Sequence, residues 1–120
     1  FLMNSLKGEK TSPYFQLQKY YPSIHKELKK KKFEFVLEST KKSLEKGVEL
    51  GIFRKKINVE FISRLYFNGI MGIRDLQIFP TEKFKPVLLM ENYSEYHLRA
   101  IVTKLGLKKL EKFLLNQSKV

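Results

Sequence analysis

The segment LEKGVELGIFRKKINVEFISRLYFNGI, residues 44–70, contains the predicted end of one long helix and the start of the next. Gly51 follows an apolar helical pattern, and we expect it to form a left-handed C-cap because glycine has no β-carbon to oppose that conformation. We expect Asn58 to cap the following helix, since its side chain can accept a hydrogen bond from an otherwise unpaired backbone N–H. The segment therefore predicts two helices joined by a short turn.

Prolines, capping residues and apolar spacing predict the remaining helices. Pro13 follows two hydroxyl residues and opens a short helix to about Tyr20, after which Pro22 breaks and restarts the chain. The predicted helices are then about 23–50, 59–76, 86–102 with Pro86 in its first turn, and 107–115, with Gly106 interrupting before the last. No alternating strand pattern is present. The fold class is therefore predicted to be all-α, an antiparallel bundle of about five to six helices.

The stretch ELKKKKFEFVL, residues 27–37, marks a change of face within the predicted helix 23–50. The apolar positions before it and those after it are centred roughly 160° apart on a helical wheel. The helix is therefore either broken or kinked there, or it buries opposite faces in its two halves. Four adjacent lysines, Lys29–Lys32, point around most of the circumference, so we expect solvated surface rather than a DNA contact.

Composition limits the class of protein. The chain has 120 residues, enough for one domain, so 1–120 is predicted to be a single domain. It carries 24 basic and 12 acidic residues, a formal charge of +12, and no cysteine, which suits a cytoplasmic protein. No apolar run approaches the roughly 18 residues of a membrane span. We therefore expect no membrane association through a transmembrane helix.

The side chains that catalysis or metal binding requires are sparse. His25 and His97 are far apart in sequence, and no cluster of His, Asp and Glu has metal-ligand spacing. We therefore expect no enzyme activity, no metal and no cofactor. Ser39, Thr40 and Ser43 either line a cavity as small polar residues or lie on the helix surface, where such hydroxyls are more common.

Helices 59–76 and 86–102 are apolar over more of their circumference than one small core can cover. A second copy is the simplest partner for the spare faces, and it would form a four-helix homodimer interface. Gly69 and Gly72 then allow close approach of two backbones, or they mark a bend. The interface residues predicted in this way are Leu65, Gly69, Gly72, Leu76, Met90, Tyr93, His97, Ala100 and Ile101.

Three passages resemble regulators of the tetracycline-repressor (TetR) family. They are TSPYFQLQKYYPSIHKEL (11–28), the segment 44–70 quoted above, and EYHLRAIVTKLGLKKLEKFL (95–114), and their order matches that of the family. The resemblance implies an effector-binding and dimerisation domain, with residues 1–8 as the tail of a linker helix. The family's N-terminal helix-turn-helix domain has no counterpart in this chain, so operator DNA would be read only by that missing part.

The resemblance implies a small apolar effector held between the helices. The residues expected to line its pocket, because they lie on inward stripes of different helices, are Phe15, Phe33, Leu37, Thr40, Leu44, Tyr66 and Phe67. Effector binding would alter the spacing of two DNA-reading heads in a full-length dimer, as in a repressor. Two other functions stay open: a small basic helical protein that binds nucleic acid or anionic membrane directly, and a helical dimerisation module without a ligand.

Overall fold

The computed structural model describes residues 13–118, and their secondary structure is helical. The five helices there are α1 (Pro13–Tyr20), α2 (Pro22–Glu49), α3 (Val59–Gly72), α4 (Pro86–Ile101) and α5 (Lys104–Ser118). The same residues contain no β-strand, only one isolated antiparallel bridge between Phe53 and Val102. The predicted all-α class is therefore confirmed. The predicted linker-helix tail, residues 1–8, and the hydroxyl residues before Pro13 lie outside the described residues.

The chain forms two compact units, Phe1–Val36 and Leu37–Val120, and the boundary between them falls within α2. In the first unit, Ile24, Leu28 and Phe35 are exposed, so the face that they share covers no core there. In the second unit, α2 buries Leu37, Leu44 and Gly47. The helix is unbroken across the lysine run, and its two halves do not bury opposite faces, so a break and the burial of opposite faces are both excluded.

Lys29–Lys32 are all exposed, as predicted for solvated surface. Lys31 lies 3.6 Å from the Glu27 carboxylate one helical turn earlier. An exposed ion pair of this kind contributes little to stability. The run is thus accommodated on the outside of α2 without interrupting the helix.

The end of α2 is a Schellman turn around Gly51, whose φ is +77°. The Ile52 N–H donates to the Gly47 carbonyl at 3.0 Å, and the Gly51 N–H donates to the Val48 carbonyl at 3.1 Å. These bonds satisfy carbonyls that the helix end would otherwise leave unpaired. The left-handed cap predicted at Gly51 is confirmed.

Asn58 caps α3 as predicted, because its side-chain oxygen accepts a hydrogen bond from the Phe61 N–H at 3.0 Å. The helix ends at Gly72, however, rather than at the predicted Leu76. Asp75 explains the early end: its carboxylate accepts from the Gln77 N–H at 2.9 Å and so favours a turn over another helical turn. Pro86 opens α4 at the predicted position.

The last helix begins earlier than predicted. Thr103 caps α5, since its Oγ1 accepts from the Gly106 N–H at 3.1 Å. Gly106 therefore lies in the first turn of α5 and does not interrupt the chain, so the predicted start at Leu107 was wrong. A β-carbon at position 106 would overlap the Ile52 carbonyl, which explains why glycine suits this turn.

The turn after α2 is joined to the junction between α4 and α5 by what we term the clasp, residues 51–54 paired with 100–103. The Arg54 N–H donates to the Ile101 carbonyl at 2.8 Å, and the Thr103 N–H donates to the Ile52 carbonyl at 2.9 Å. The Thr103 hydroxyl also donates to the Gly51 carbonyl at 2.6 Å. The clasp thus fixes the end of α2 against the end of α4.

The buried side chains of the second unit form a small core around the clasp. Leu44 is 2% exposed, Ile101 is 1% exposed, and Ser63 is fully buried with its hydroxyl donating to the Val59 carbonyl at 2.6 Å. Each helix between Pro13 and Ser118 is too short or too polar to cross a bilayer.

Candidate ligand-binding cavity

A partly open cavity of about 320 Å³ lies in the second unit, between α2, α3 and α4. Its wall is mostly apolar but carries several hydroxyls and one imidazole. The lining residues are Ser39, Thr40, Ser43, Leu44, Phe53, Tyr66, Ser94, His97 and Leu98. The volume falls within the range of roughly 300–1,000 Å³ that small-molecule sites usually occupy.

The α2 wall of the cavity consists of two neighbouring rows of side chains. Thr40 and Leu44 are one helical turn apart, as are Ser39 and Ser43, so each pair lies on one face. Leu44 is buried and anchors the helix, whereas Ser39 and Ser43 are exposed and place hydroxyls at the opening. The wall therefore offers an apolar floor with hydrogen-bonding groups near its rim.

His97 is the titratable group of the cavity with the most altered environment. Its ring lies 4.4 Å from the Tyr66 ring, centroid to centroid, and burial lowers the pKa of the imidazole below its ordinary value. The ring is therefore neutral at neutral pH and can donate through one nitrogen and accept through the other. Among the described residues neither nitrogen has a hydrogen-bond partner, so both are available to a ligand.

Tyr93 holds α3 and α4 together behind His97. Its ring stacks on Tyr66 at 5.5 Å, and its hydroxyl lies 3.2 Å from the Tyr66 carbonyl and 3.3 Å from the Leu65 carbonyl. A β-carbon at Gly69 would overlap the Tyr93 hydroxyl. Burial, followed by the neighbouring tyrosines 66 and 96, raises the pKa of Tyr93. The tyrosine thus stays protonated and able to donate.

An ion pair between Lys41 and Glu60 joins α2 to α3 beside the cavity. Arg64, one turn further along α3, donates to the same carboxylate at 2.7 Å. Hydrogen bonds from Lys41 and then from Arg64 lower the pKa of the Glu60 carboxyl. Because the group is exposed, we treat this arrangement as a local tether and not as a major source of stability.

The structure brings together three of the seven predicted pocket residues: Thr40, Leu44 and Tyr66 line the cavity. Leu37 is buried in the core without lining it, and Phe67 is half-buried. Phe67 follows Tyr66 by one residue, about 100° around α3, which explains why only one of the two reaches the cavity. Phe15 and Phe33 belong to the first unit and do not line this cavity.

The remaining lining residues were not among those predicted. Ser39 and Ser43 had been weighed as cavity residues, and the structure places both there. His97 stood out as a polar residue on an apolar stripe but was assigned to the dimer interface. Phe53 could not have been identified, because the Schellman turn and the clasp together determine its position. Ser94 and Leu98 are further lining residues, on α4.

The predicted interface residues differ in how much surface they leave for a partner. Leu65, Leu76 and Ala100 are exposed, and nothing lies within 4 Å of the space beside Gly72. Met90, Tyr93 and His97 are partly exposed, Gly69 faces Tyr93 within the same chain, and Ile101 has almost no free surface. The predicted interface residues with free surface therefore lie in the middle and at the C-terminal end of α3, just beyond that end, and near the C-terminal end of α4.

No family model, no curated protein and no solved structure matches this chain. The resemblance to TetR-family regulators therefore rests on the three quoted passages. Among the described residues, no group of three or more His, Asp and Glu side chains is placed to hold a metal ion. The lining residues of the cavity offer hydrogen bonding and apolar contact.

Proposed function

We propose that the chain is the effector-sensing and dimerisation domain of a TetR-like transcriptional regulator in the cytoplasm, with operator DNA read by a separate N-terminal domain. The observation that carries the proposal is the cavity between α2, α3 and α4. Its apolar floor, hydroxyl rim and neutral imidazole suit a small, mostly apolar molecule with one or two hydrogen-bonding groups. The role is one of binding, without catalysis.

The proposed response couples ligand binding to helix tilt. A molecule between Thr40 on α2 and His97 on α4 would contact both helices, and it would favour the arrangement that best accommodates it. In a full-length dimer the same change would alter the spacing of two DNA-reading heads. The ligand site and the DNA-binding site would then be coupled through helices that can adopt two arrangements.

Exposed apolar side chains on α3 and α4 support the dimer part of the proposal. Phe61 and Leu65 lie one turn apart on α3, and Leu88 and Tyr96 are exposed on α4, Tyr96 to 69%. An apolar surface of this kind is typical of a protein–protein contact. A second copy of the chain, paired about a two-fold axis, is the proposed partner.

Binding of a neutral naphthylamine dye, followed by fluorescence, tests the ligand part. We expect saturable binding that Ser94→Phe abolishes, because the added ring fills the cavity. Ser23→Phe is the matched control, since Ser23 is exposed in the first unit and does not line the cavity. Equal dye binding by both variants would exclude the cavity as the site and favour a ligand-free dimerisation module.

Sedimentation at micromolar concentration tests the dimer part. We expect a mass of twice 14.3 kDa, and loss of the dimer in Leu65→Glu. Phe113→Glu on α5 is the matched control because Phe113 is similarly exposed, 57% against 49% for Leu65. A monomer in the unmodified protein would contradict the proposed interface.

A further inference from the structure

A second concavity, the basic groove, borders the ligand cavity on the same side of α2. It is lined by Lys42, Lys46, Gly47, Leu50 and Ile52, together with Ser43 and Phe53, which also line the cavity. The two shared side chains stand between the groove and the cavity. The two spaces are therefore contiguous at Ser43 and Phe53, which we term the partition.

The basic groove combines two unpaired cations with apolar surface. Lys42 and Lys46 are exposed and one helical turn apart, and among the described residues neither forms an ion pair, although Glu45 and Glu49 are close in sequence. Leu50 is 57% exposed beside them. An anion with an attached apolar group complements both features, whereas a neutral or cationic molecule leaves the lysines unmatched.

Phe53 is held at the partition by its neighbours. The ring lies directly against Gly47, where a β-carbon would overlap it, and the Phe53 N–H donates to the Gly47 carbonyl at 3.0 Å. The backbone of Phe53 is thus fixed by the turn after α2, while the ring faces open space on two sides. A ligand longer than the cavity can therefore extend past Phe53 and Ser43 toward the lysines, because both side chains line the two spaces.

We propose that the effector is an amphipathic carboxylate whose apolar part occupies the cavity and whose acid group lies in the basic groove at Lys42 and Lys46. This inference rests on the proposed function, because it names the ligand class of the same site. The Ser43 hydroxyl, at the partition, is placed to donate a hydrogen bond toward the acid group. Selectivity for the acid then comes from the groove, and affinity for the tail comes from the cavity.

Competition with the naphthylamine dye by three molecules with the same tail tests the inference: octanoate, octanol and octylamine. We expect octanoate to bind about threefold to tenfold more tightly than octanol, since exposed ion pairs are individually weak. Octylamine should bind least tightly of the three. Added salt should reduce the preference for octanoate, because it screens exposed charges.

The double variant Lys42→Gln/Lys46→Gln should equalise octanoate and octanol while leaving the affinity for octanol unchanged. Lys83→Gln/Lys85→Gln is the matched control. It removes the same charge at the N-terminal end of α4, whereas the clasp lies at the C-terminal end, roughly 24 Å away by helical rise. This variant should keep the preference for octanoate over octanol.

Equal binding of octanoate and octanol by the unmodified protein, or a preference that survives loss of both groove lysines, would overturn the inference. In either case binding of octanol would leave the proposed ligand cavity standing. Failure of all three molecules, together with dye binding that Ser94→Phe does not change, would instead remove the cavity as a ligand site. The inference about the carboxylate would then fail with it.

Discussion

The hydroxyl of Tyr93 occupies the space that a β-carbon at Gly69 would need. From there it lies within hydrogen-bonding distance of two carbonyls in the preceding turn of α3. Gly69 therefore has a role inside one chain: it admits the tyrosine that holds α4 against α3. The contact with Tyr93 accounts for the glycine at position 69. Neither a bend in α3 nor close approach of a second copy of the protein is needed to explain it.

Gly69→Ala should lower the free energy of unfolding by about 1 kcal/mol. Overpacking typically costs about 1–3 kcal/mol, and the better helix propensity of alanine offsets about 1 kcal/mol of that. In a Tyr93→Ala background, which lacks both the hydroxyl and the ring that the added β-carbon would overlap, Gly69→Ala should be neutral or stabilising. Urea denaturation of the four proteins gives the coupling energy directly.

Gly72→Ala on the same helix is the control for Gly69→Ala. No atom lies within 4 Å of the added β-carbon, so the substitution should be stabilising, by up to about 1 kcal/mol. If both glycine substitutions have the same effect, the contact with Tyr93 does not determine the requirement at position 69.

Thr103→Ala should lower the free energy of unfolding by about 2 kcal/mol. The hydroxyl both caps α5 and donates to the Gly51 carbonyl across the clasp, and loss of a cap alone typically costs about 1 kcal/mol. Thr103→Ser should retain most of the stability because it keeps the hydroxyl. Thr81→Ala, at an exposed threonine between α3 and α4, should stay within about 0.5 kcal/mol in the same urea titration.

Acidification should destabilise the protein through His97. The unfolded imidazole titrates near 6.5, and burial lowers the folded pKa, so between the two values the unfolded chain binds more protons. Stability should therefore fall as pH drops from about 7 through this window, and be independent of this group above it. The ring's aromatic neighbours are Tyr66 and Tyr93.

His97→Gln should lose less stability than the unmodified protein over the same pH range, measured by urea denaturation at each pH. Ser94→Ala alters the same cavity without removing a titratable group and should keep the original pH dependence. The contribution of Glu60 appears separately, below pH 4.5, because the pKa of that carboxyl is lowered. An unchanged slope in His97→Gln would show that another group is responsible.

Replacing Lys29–Lys32 with glutamine should leave the free energy of unfolding within about 0.5 kcal/mol, because all four side chains are exposed. Weak binding to DNA should lose salt dependence, by roughly 0.9 in the slope of log K for each phosphate contact removed. In the full-length regulator proposed above, operator discrimination should be unchanged, as measured by competition between operator and unrelated DNA. Loss of discrimination would show that the lysines read sequence.

Local chemistry determined the features that the sequence predicted well. The caps at Gly51 and Asn58 and the start at Pro86 each depend on a few neighbouring residues, and each was confirmed. The end of α3 was predicted too late because the apolar pattern continues to Leu76, whereas the Asp75 side chain competes for the backbone. The role of Gly106 was wrong because Thr103 supplies a cap that the apolar spacing does not reveal.

The cavity was only partly predictable, for a different reason. Helical spacing assigns residues to faces, and the structure puts Thr40 and Leu44 in the lining of the cavity, but the spacing does not say which faces meet. Tyr66 and Phe67 are adjacent aromatic residues, and both belong to the apolar pattern of α3. Only the tertiary packing shows that Tyr66 lines the cavity and Phe67 does not. Phe53 reaches the cavity because the clasp positions it, and His97 does so beside the Tyr66 ring. Neither contact can be predicted from the spacing of apolar residues in the sequence.

The clasp also has a consequence for folding kinetics. The Thr103–Gly51 bond joins positions 52 residues apart, whereas most backbone hydrogen bonds of the described chain lie within helices and form locally. Closing that loop loses chain entropy before any clasp bond compensates for it, so we expect its closure to limit the folding rate. Substitutions in the clasp should then slow folding. Substitutions near those ends of α3 and α4 that lie outside the clasp should mainly accelerate unfolding.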